Sequence, residues 1–167
     1  MSRPDVLILV GPTASGKTTL ADALRDRGWA ISRPVTTTSR APRPGEVDGV
    51  HYHFATREQM LAMQDAGAYL EQEEFRGNRY GLSWQALREA QAQGLPVLIV
   101  EPKGVRNLRA QVAVHAICIE IDAAAFSRRL AGRPAEEIAA RAAGFAEELA
   151  AARAEADQVI WNGDGAQ

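Results

Sequence analysis

The chain has 167 residues, 46% apolar and 24% charged, with a formal net charge of -2 and one cysteine, Cys118. This length suits one domain with its own core, a lone cysteine rules out an internal disulfide, and the near-neutral balance argues against a nucleic-acid partner, which needs a basic surface. Apolar runs such as Val6 to Val10 fall far short of a bilayer span, and Met1 to Asp5 has no charged leader, so the expectation is a cytoplasmic protein without a membrane partner. Lysine is scarce, 2 against 17 arginines, so Lys17 and Lys103 each need a reason.

Asp5 to Val10, bounded by Pro4 and Gly11, predicts a strand buried on both faces, as in a parallel sheet. A glycine-punctuated turn follows, then helical spacing from Thr18 to Arg27. Trp29 to Ser32 suggests a short strand, and Pro34 to Gly49 an irregular surface segment too polar for the core. His51 to Phe54 alternates like a strand, Arg57 to Ala66 like a helix, and Ala68 to Phe75 like a strand broken at Gly77-Asn78. Ser83 and Gly94 bracket a helix as N-cap and terminator. Pro96 to Val100 is a second buried strand, Lys103 to Ala110 a short helix, and Val112 to Ile121 a third strand. Asp122 caps a helix to Leu130; after Gly132-Arg133-Pro134 comes a long Ala-rich helix, 135 to 156, and a last strand, Gln158 to Trp161. Strands alternating with helices predict an α/β layered fold.

Gly11-Pro-Thr-Ala-Ser-Gly16-Lys17-Thr18 matches G-x-x-x-x-G-K-[ST] in full, with a strand before it and a helix after it. That context matters because the loop's backbone N–H groups and the helix N-terminus together receive phosphate. Gly11, Pro12, Thr13, Ala14, Ser15, Gly16, Lys17, Thr18 and Thr19 are therefore the expected nucleoside triphosphate cradle, with Lys17 reaching the β- and γ-phosphates and the Thr18 hydroxyl holding Mg²⁺. Downstream, Arg40 and Arg43 lie on a proline-stiffened loop, read as having no acid nearby, and Tyr52 follows. Two guanidiniums and a phenol suit a phosphate monoester. His51 and His53 flank Tyr52 on an exposed strand face and are not expected to bind metal. Cys118 lies in an apolar run and is expected in the core.

The segment Thr36-Thr-Thr-Ser-Arg40-Ala-Pro-Arg43-Pro-Gly-Glu46-Val-Asp-Gly49-Val-His-Tyr52-His-Phe54 resembles the GMP-binding region of the guanylate kinase family. The likeness continues through Tyr69-Leu-Glu71, Gly77-Asn-Arg-Tyr80-Gly81, Arg128-Arg-Leu-Ala-Gly-Arg133, Arg141 and Val159-Ile-Trp-Asn162. It implies a P-loop NTPase three-layer fold with a parallel core sheet in a single domain spanning 1–167. Residues 1–33, 83–127 and 142–167 would form the core, about 34–82 an NMP-binding lobe, and about 128–141 a short lid. It further implies that Arg40, Arg43, Tyr52 and Tyr80 hold the acceptor phosphate, and that Glu71 reads the guanine edge with Thr36 and Glu101 nearby. Arg129, Arg133 and Arg141 would close on the transferring group, with Lys17 and Arg40 also catalytic, and Asn162 would lie near the adenine. A carboxylate at Glu71 suits guanine, whose N1–H and N2–H₂ are adjacent donors.

The family's strand-end D-x-D-x-Q-G reads Ile99-Val-Glu101-Pro-Lys103-Gly104 here, and Leu82 stands where a serine often contacts the base, with Ser83 next. The lid is about three residues shorter than usual. These departures bear on the acceptor and leave the cradle intact. The expected reaction is transfer from ATP to GMP or dGMP. Ribose 1,5-bisphosphate phosphokinase or another small-molecule P-loop kinase is the alternative, and a non-catalytic guanylate-kinase-like binding module a more distant one. Oligomeric state is not legible.

Overall fold

The computed structural model describes residues 4–75 and 77–163. In chain order its elements are β1 (Val6–Val10), α1 (Lys17–Asp26), β2 (Ile31–Ser32), β3 (Thr37–Thr38), β4 (His53–Phe54), α2 (Arg57–Asp65), β5 (Tyr69–Phe75) and β6 (Asn78–Ser83). Then come α3 (Trp84–Gln93), β7 (Leu95–Ile99), α4 (Pro102–Arg109), β8 (Val114–Glu120), α5 (Ala123–Arg129), α6 (Ala135–Glu155) and β9 (Gln158–Trp161). The chain divides into two compact units, Met1–Trp29 with Val97–Gln167, and Ala30–Pro96.

In the first unit β1 pairs in parallel with β7 and with β8, and β8 pairs in parallel with β9. All-parallel pairing explains the continuous apolar runs, since helices cover both faces of such a sheet. Val6, Ile8, Leu9, Cys118 and Ile119 are at most 1% exposed. Beyond β8, Asp122 caps α5 by accepting from the Ala125 amide, and Ile121, Ala125, Phe126 and Leu130 form a buried cluster against Ile138 and Phe145 of α6. The Phe126 and Phe145 rings lie 4.7 Å apart. That contact ties the long alanine-rich helix to α5.

In the second unit the sheet order is β4-β3-β6-β5. β5 and β6 are antiparallel, with a shift in register between Tyr69 and Glu71. β2 pairs in parallel with the first two residues of β7. A capping box of Thr56 and Gln59 starts α2, and Ser83 starts α3. Two expectations change here. The supposedly irregular, core-free segment contains β3, whose Thr37 and Thr38 are 5% and 0% exposed; burial is tolerated because the ladder satisfies their backbone and Thr38 Oγ1 donates to the Arg79 carbonyl at 3.0 Å. Beyond the expected break at Gly77-Asn78 the chain continues as strand β6, because cross-strand pairing with β5 outweighs the poor strand propensity of Asn and Gly, while Ser83 keeps its expected place as the N-cap of α3.

Replacing Phe126 with Ala removes the ring that joins α5 to α6. The expected loss of unfolding free energy is about 3–5 kcal/mol, readable in urea denaturation; a loss under about 1 kcal/mol would show that this contact does not anchor α6.

Candidate functional site

The phosphate loop lies between β1 and α1 in the first unit. Gly16, at φ +94°, turns the chain into the helix, and a Cβ there would meet Asn162 Nδ2 at 2.5 Å; Gly11 is equally confined, its Cβ falling 2.4 Å from the Ile119 carbonyl oxygen. Ala14 holds the left-handed conformation at φ +62° without being glycine, a strained state that persists only when neighbours fix it. Those neighbours are identifiable. Arg129 Nη1 donates to the Ala14 carbonyl at 3.1 Å, and Asn162 Nδ2 donates to the Ser15 carbonyl at 2.9 Å. α1 starts without a side-chain cap or an acid in its first turn, so its N-terminal amides and dipole are left for an anion.

Lys17 turns back into the loop, donating to the carbonyls of Gly11 at 2.7 Å and Pro12 at 2.8 Å. Burial pushes its ammonium below the ordinary lysine range, while Glu101, Glu148 and Cys118 oppose that shift. Ala14, Gly16, Lys17, Thr18, Thr19, Arg129, Arg133 and Asn162 line a cleft of about 600 Å³. Arg141 reaches the same loop, Nη1 donating to Thr13 Oγ1 at 3.1 Å. Arg133 and Arg141 share Glu137, at 2.8 and 3.0 Å, and the two guanidiniums, Arg133 foremost, lower that carboxyl's pKa. Thus the loop, Lys17, the three expected arginines and Asn162 come together.

The residues fit a nucleoside triphosphate. Ser15 Oγ is buried without a hydrogen-bond partner, and the Thr18 side chain is exposed at the first turn of α1, where a phosphate-bound Mg²⁺ needs a hydroxyl. Among the described residues no group of three or more His, Cys, Asp or Glu could hold a metal.

The second unit holds a cavity of about 300 Å³ lined by Arg40, Arg43, Glu46, Tyr52, Glu73 and Tyr80. Four of these were expected. Glu46 corrects the reading of Arg40 and Arg43 as having no acid nearby: its carboxylate accepts from Arg40 Nη2 at 2.8 Å and from the Arg43 amide at 2.7 Å. Those bonds, with Arg40 first, hold the Glu46 carboxyl down at about 2, and Glu46 with Tyr80 keeps the Arg40 guanidinium charged. Arg40 also lies over the Tyr52 ring, 5.5 Å from its centre, and Tyr52 meets Tyr80 edge-on at 6.1 Å. Glu73 also faces this cavity, and its register partner on β6 is Tyr80. The period-2 spacing from Glu71 was the signal that could have placed it there.

Thr36 and Glu71 are half-buried but do not line that cavity; Thr36 accepts the His53 amide through its carbonyl, and Glu71 pairs with Leu82 in the ladder. Glu101 is the N-cap residue of α4 and, in the first unit, acts on Lys17 through charge. Lys103 is exposed on α4. His51 and His53 are exposed, and His51 Nδ1 accepts from the Val47 amide.

A phosphate loop at the head of a parallel α/β sheet, with a lysine inside the loop and arginines around it, defines a P-loop phosphotransferase fold. A family model described as "Guanylate kinase" matches residues 3–164. The guanylate kinase of Synechococcus sp. (strain CC9311) is 38% identical across 98% of this chain and 88% of that protein. That of Frankia casuarinae is 38% identical across 94% and 88%. A crystal structure of guanylate kinase from Anaplasma phagocytophilum superimposes with a TM-score of 0.69 at 28% identity, covering 94% of this chain and 76% of that one. The chain belongs to the guanylate kinase family. No helix among the described residues is long and apolar enough to cross a membrane.

The Glu46 pairing sets a pH signature. Because its pKa in the fold is depressed, the pair contributes its stability above the ordinary carboxylate range near 4.5 and loses it as pH falls toward about 2. A carbon-detected NMR titration of Glu46 should find its midpoint near 2, and a midpoint near 4.5 would show that the pair does not form in solution.

Proposed function

We propose that the chain transfers the γ-phosphoryl group of ATP to GMP or dGMP, giving ADP and GDP or dGDP. The observation that carries this reading is the half-buried Lys17 ammonium bonded to two carbonyls within a complete phosphate loop. The arginine- and tyrosine-lined cavity supports a monophosphate as the second substrate. An acceptor phosphate oxygen attacks the γ-phosphorus in line as the bond to the ADP oxygen breaks, so the protein's task is alignment and charge neutralisation. The Arg40 guanidinium exchanges Glu46 for the acceptor phosphate, the Arg43 guanidinium joins it there, and Tyr52 and Tyr80 act as hydroxyl donors. Lys17 exchanges two loop carbonyls for β- and γ-oxygens. Arg129, Arg133 and Arg141 supply charge where it develops on the transferring group. Thr18 would hold a Mg²⁺ together with the triphosphate, and the ion would supply charge neutralisation there. Glu71 reads the guanine edge, with Thr36 and Glu101 as further acceptor contacts, and Asn162 lies toward the adenine.

We assign residues 34–82 as the acceptor lobe and 128–141 as the lid, and the setting as cytoplasmic. Leu82 and Ile99 depart from the family pattern on the acceptor side, which keeps ribose 1,5-bisphosphate as the second acceptor to test.

ADP release should be fast with GMP and dGMP and slow with AMP or ribose 1,5-bisphosphate. Guanine turnover no higher than the blank would overturn the assignment. Lys17→Ala should lower kcat by about 10²–10³-fold with the fold retained by circular dichroism; undiminished turnover would contradict the loop chemistry. Glu71→Gln should lower kcat/KM for GMP by about 10–100-fold while leaving the ATP KM in place, and an unchanged acceptor profile would point to another reader of the base.

A further inference from the structure

Two side chains of α6 hydrogen-bond the phosphate loop at Thr13. Arg141 donates to the Thr13 hydroxyl at 3.1 Å, and Glu148 Oε2 accepts from the Thr13 amide at 3.3 Å. Positions 141 and 148 are two helical turns apart and share a face. Arg141 has a role in phosphoryl transfer; Glu148 has none, and no motif points to it. A carboxylate beside a loop built for anions repels the ligand unless it contributes something else.

The loop shows what that contribution is. Three consecutive residues are each gripped by a side chain from a later element: the Thr13 N–H by Glu148 of α6, the Ala14 carbonyl by Arg129 of α5, and the Ser15 carbonyl by Asn162 after β9. Pro12 has no N–H to offer, so the Thr13 amide is the first donor after Gly11 by which this side of the loop can be held. The next residue, Ala14, is the one in the left-handed conformation. Glu148 also contributes negative charge at Lys17, a secondary effect consistent with its position at the loop.

We propose that Glu148 is a positioning residue of the phosphate loop: by accepting the Thr13 N–H from α6 it fixes the Pro12-Thr13-Ala14 turn, leaving the amides of Gly16, Lys17 and Thr18 for a triphosphate. The proposal rests on the nucleotide reading given above. It concerns ATP and leaves the acceptor unaffected.

The test is equilibrium binding of the fluorescent nucleotide mant-ATP with Mg²⁺, together with steady-state kinetics, on the full chain. Glu148→Ala should weaken mant-ATP binding and raise the ATP KM by about tenfold with the GMP KM unchanged. Glu148→Gln keeps an acceptor oxygen in place and should stay within about threefold of the wild type. Glu148→Asp keeps the charge but withdraws the oxygen by one methylene, and should behave like Glu148→Ala; if Glu148→Ala does not fold, the Gln and Asp variants decide. Binding equal to or tighter than the wild type in Glu148→Ala would overturn the proposal, the tighter result making the carboxylate a competitor for phosphate. Glu148→Gln as weak as Glu148→Asp, or equal rises in both KM values, would also overturn it. A wild-type chain that fails to bind mant-ATP would overturn the nucleotide reading and this inference with it, whereas wild-type binding with an indifferent Glu148 overturns this inference alone.

Discussion

The arrangement depends first on a single ammonium group held inside its own loop. Lys17 gives up much of its hydration to sit against the Gly11 and Pro12 carbonyls, and a buried charge is tolerated only with such partners. The loop has to be shaped to supply them, which is why Gly11 and Gly16 stand where a Cβ would collide and Ala14 accepts a strained φ. Arginine replaces lysine almost everywhere else in the chain, but a broad planar guanidinium does not fit where a compact ammonium must meet two carbonyls. Side chains of α5, of α6 and of Asn162 after β9 grip this loop, so its shape is a property of the unit rather than of eight residues alone.

Both candidate sites hold their cations on internal partners. Arg40 is paired with Glu46, Arg133 and Arg141 with Glu137, and Lys17 with carbonyls. Each partner is an oxygen that a phosphate oxygen can replace. The cations are thereby kept charged and placed, and binding exchanges one set of charge-assisted bonds for another. Glu46 and Glu137 thus belong to the chemistry even though neither touches substrate in the proposed reaction.

Much of this was legible in the chain itself. The strands around the loop announced themselves because parallel strands buried on both faces need unbroken apolar runs, as in Val6 to Val10, and the caps at Ser83 and Asp122 follow from hydroxyl and carboxylate chemistry. The phosphate loop and Arg40, Arg43, Tyr52 and Tyr80 were readable from motif spacing and family resemblance. What escaped depends on pairing at a distance. β6 hides behind a turn-like Gly-Asn because only the ladder with β5 makes it a strand, and Thr37 and Thr38 look like loop residues until their hydroxyls and amides find partners. Glu148 is 135 residues from Thr13, so no local pattern could connect them. Glu46 is the instructive case: it lay within six residues of Arg40, yet its significance appears only when both face one cavity.

In the proposed reaction two separate sets of residues receive two different phosphates. Backbone amide NMR tests it directly: ATP with Mg²⁺ should shift the amides of Gly16, Lys17 and Thr18 while those around Arg40 and Arg43 hold still, and GMP alone should do the reverse. If GMP alone moved the loop amides, or ATP left them unmoved, the division of labour between Lys17 and the arginine cavity would be wrong.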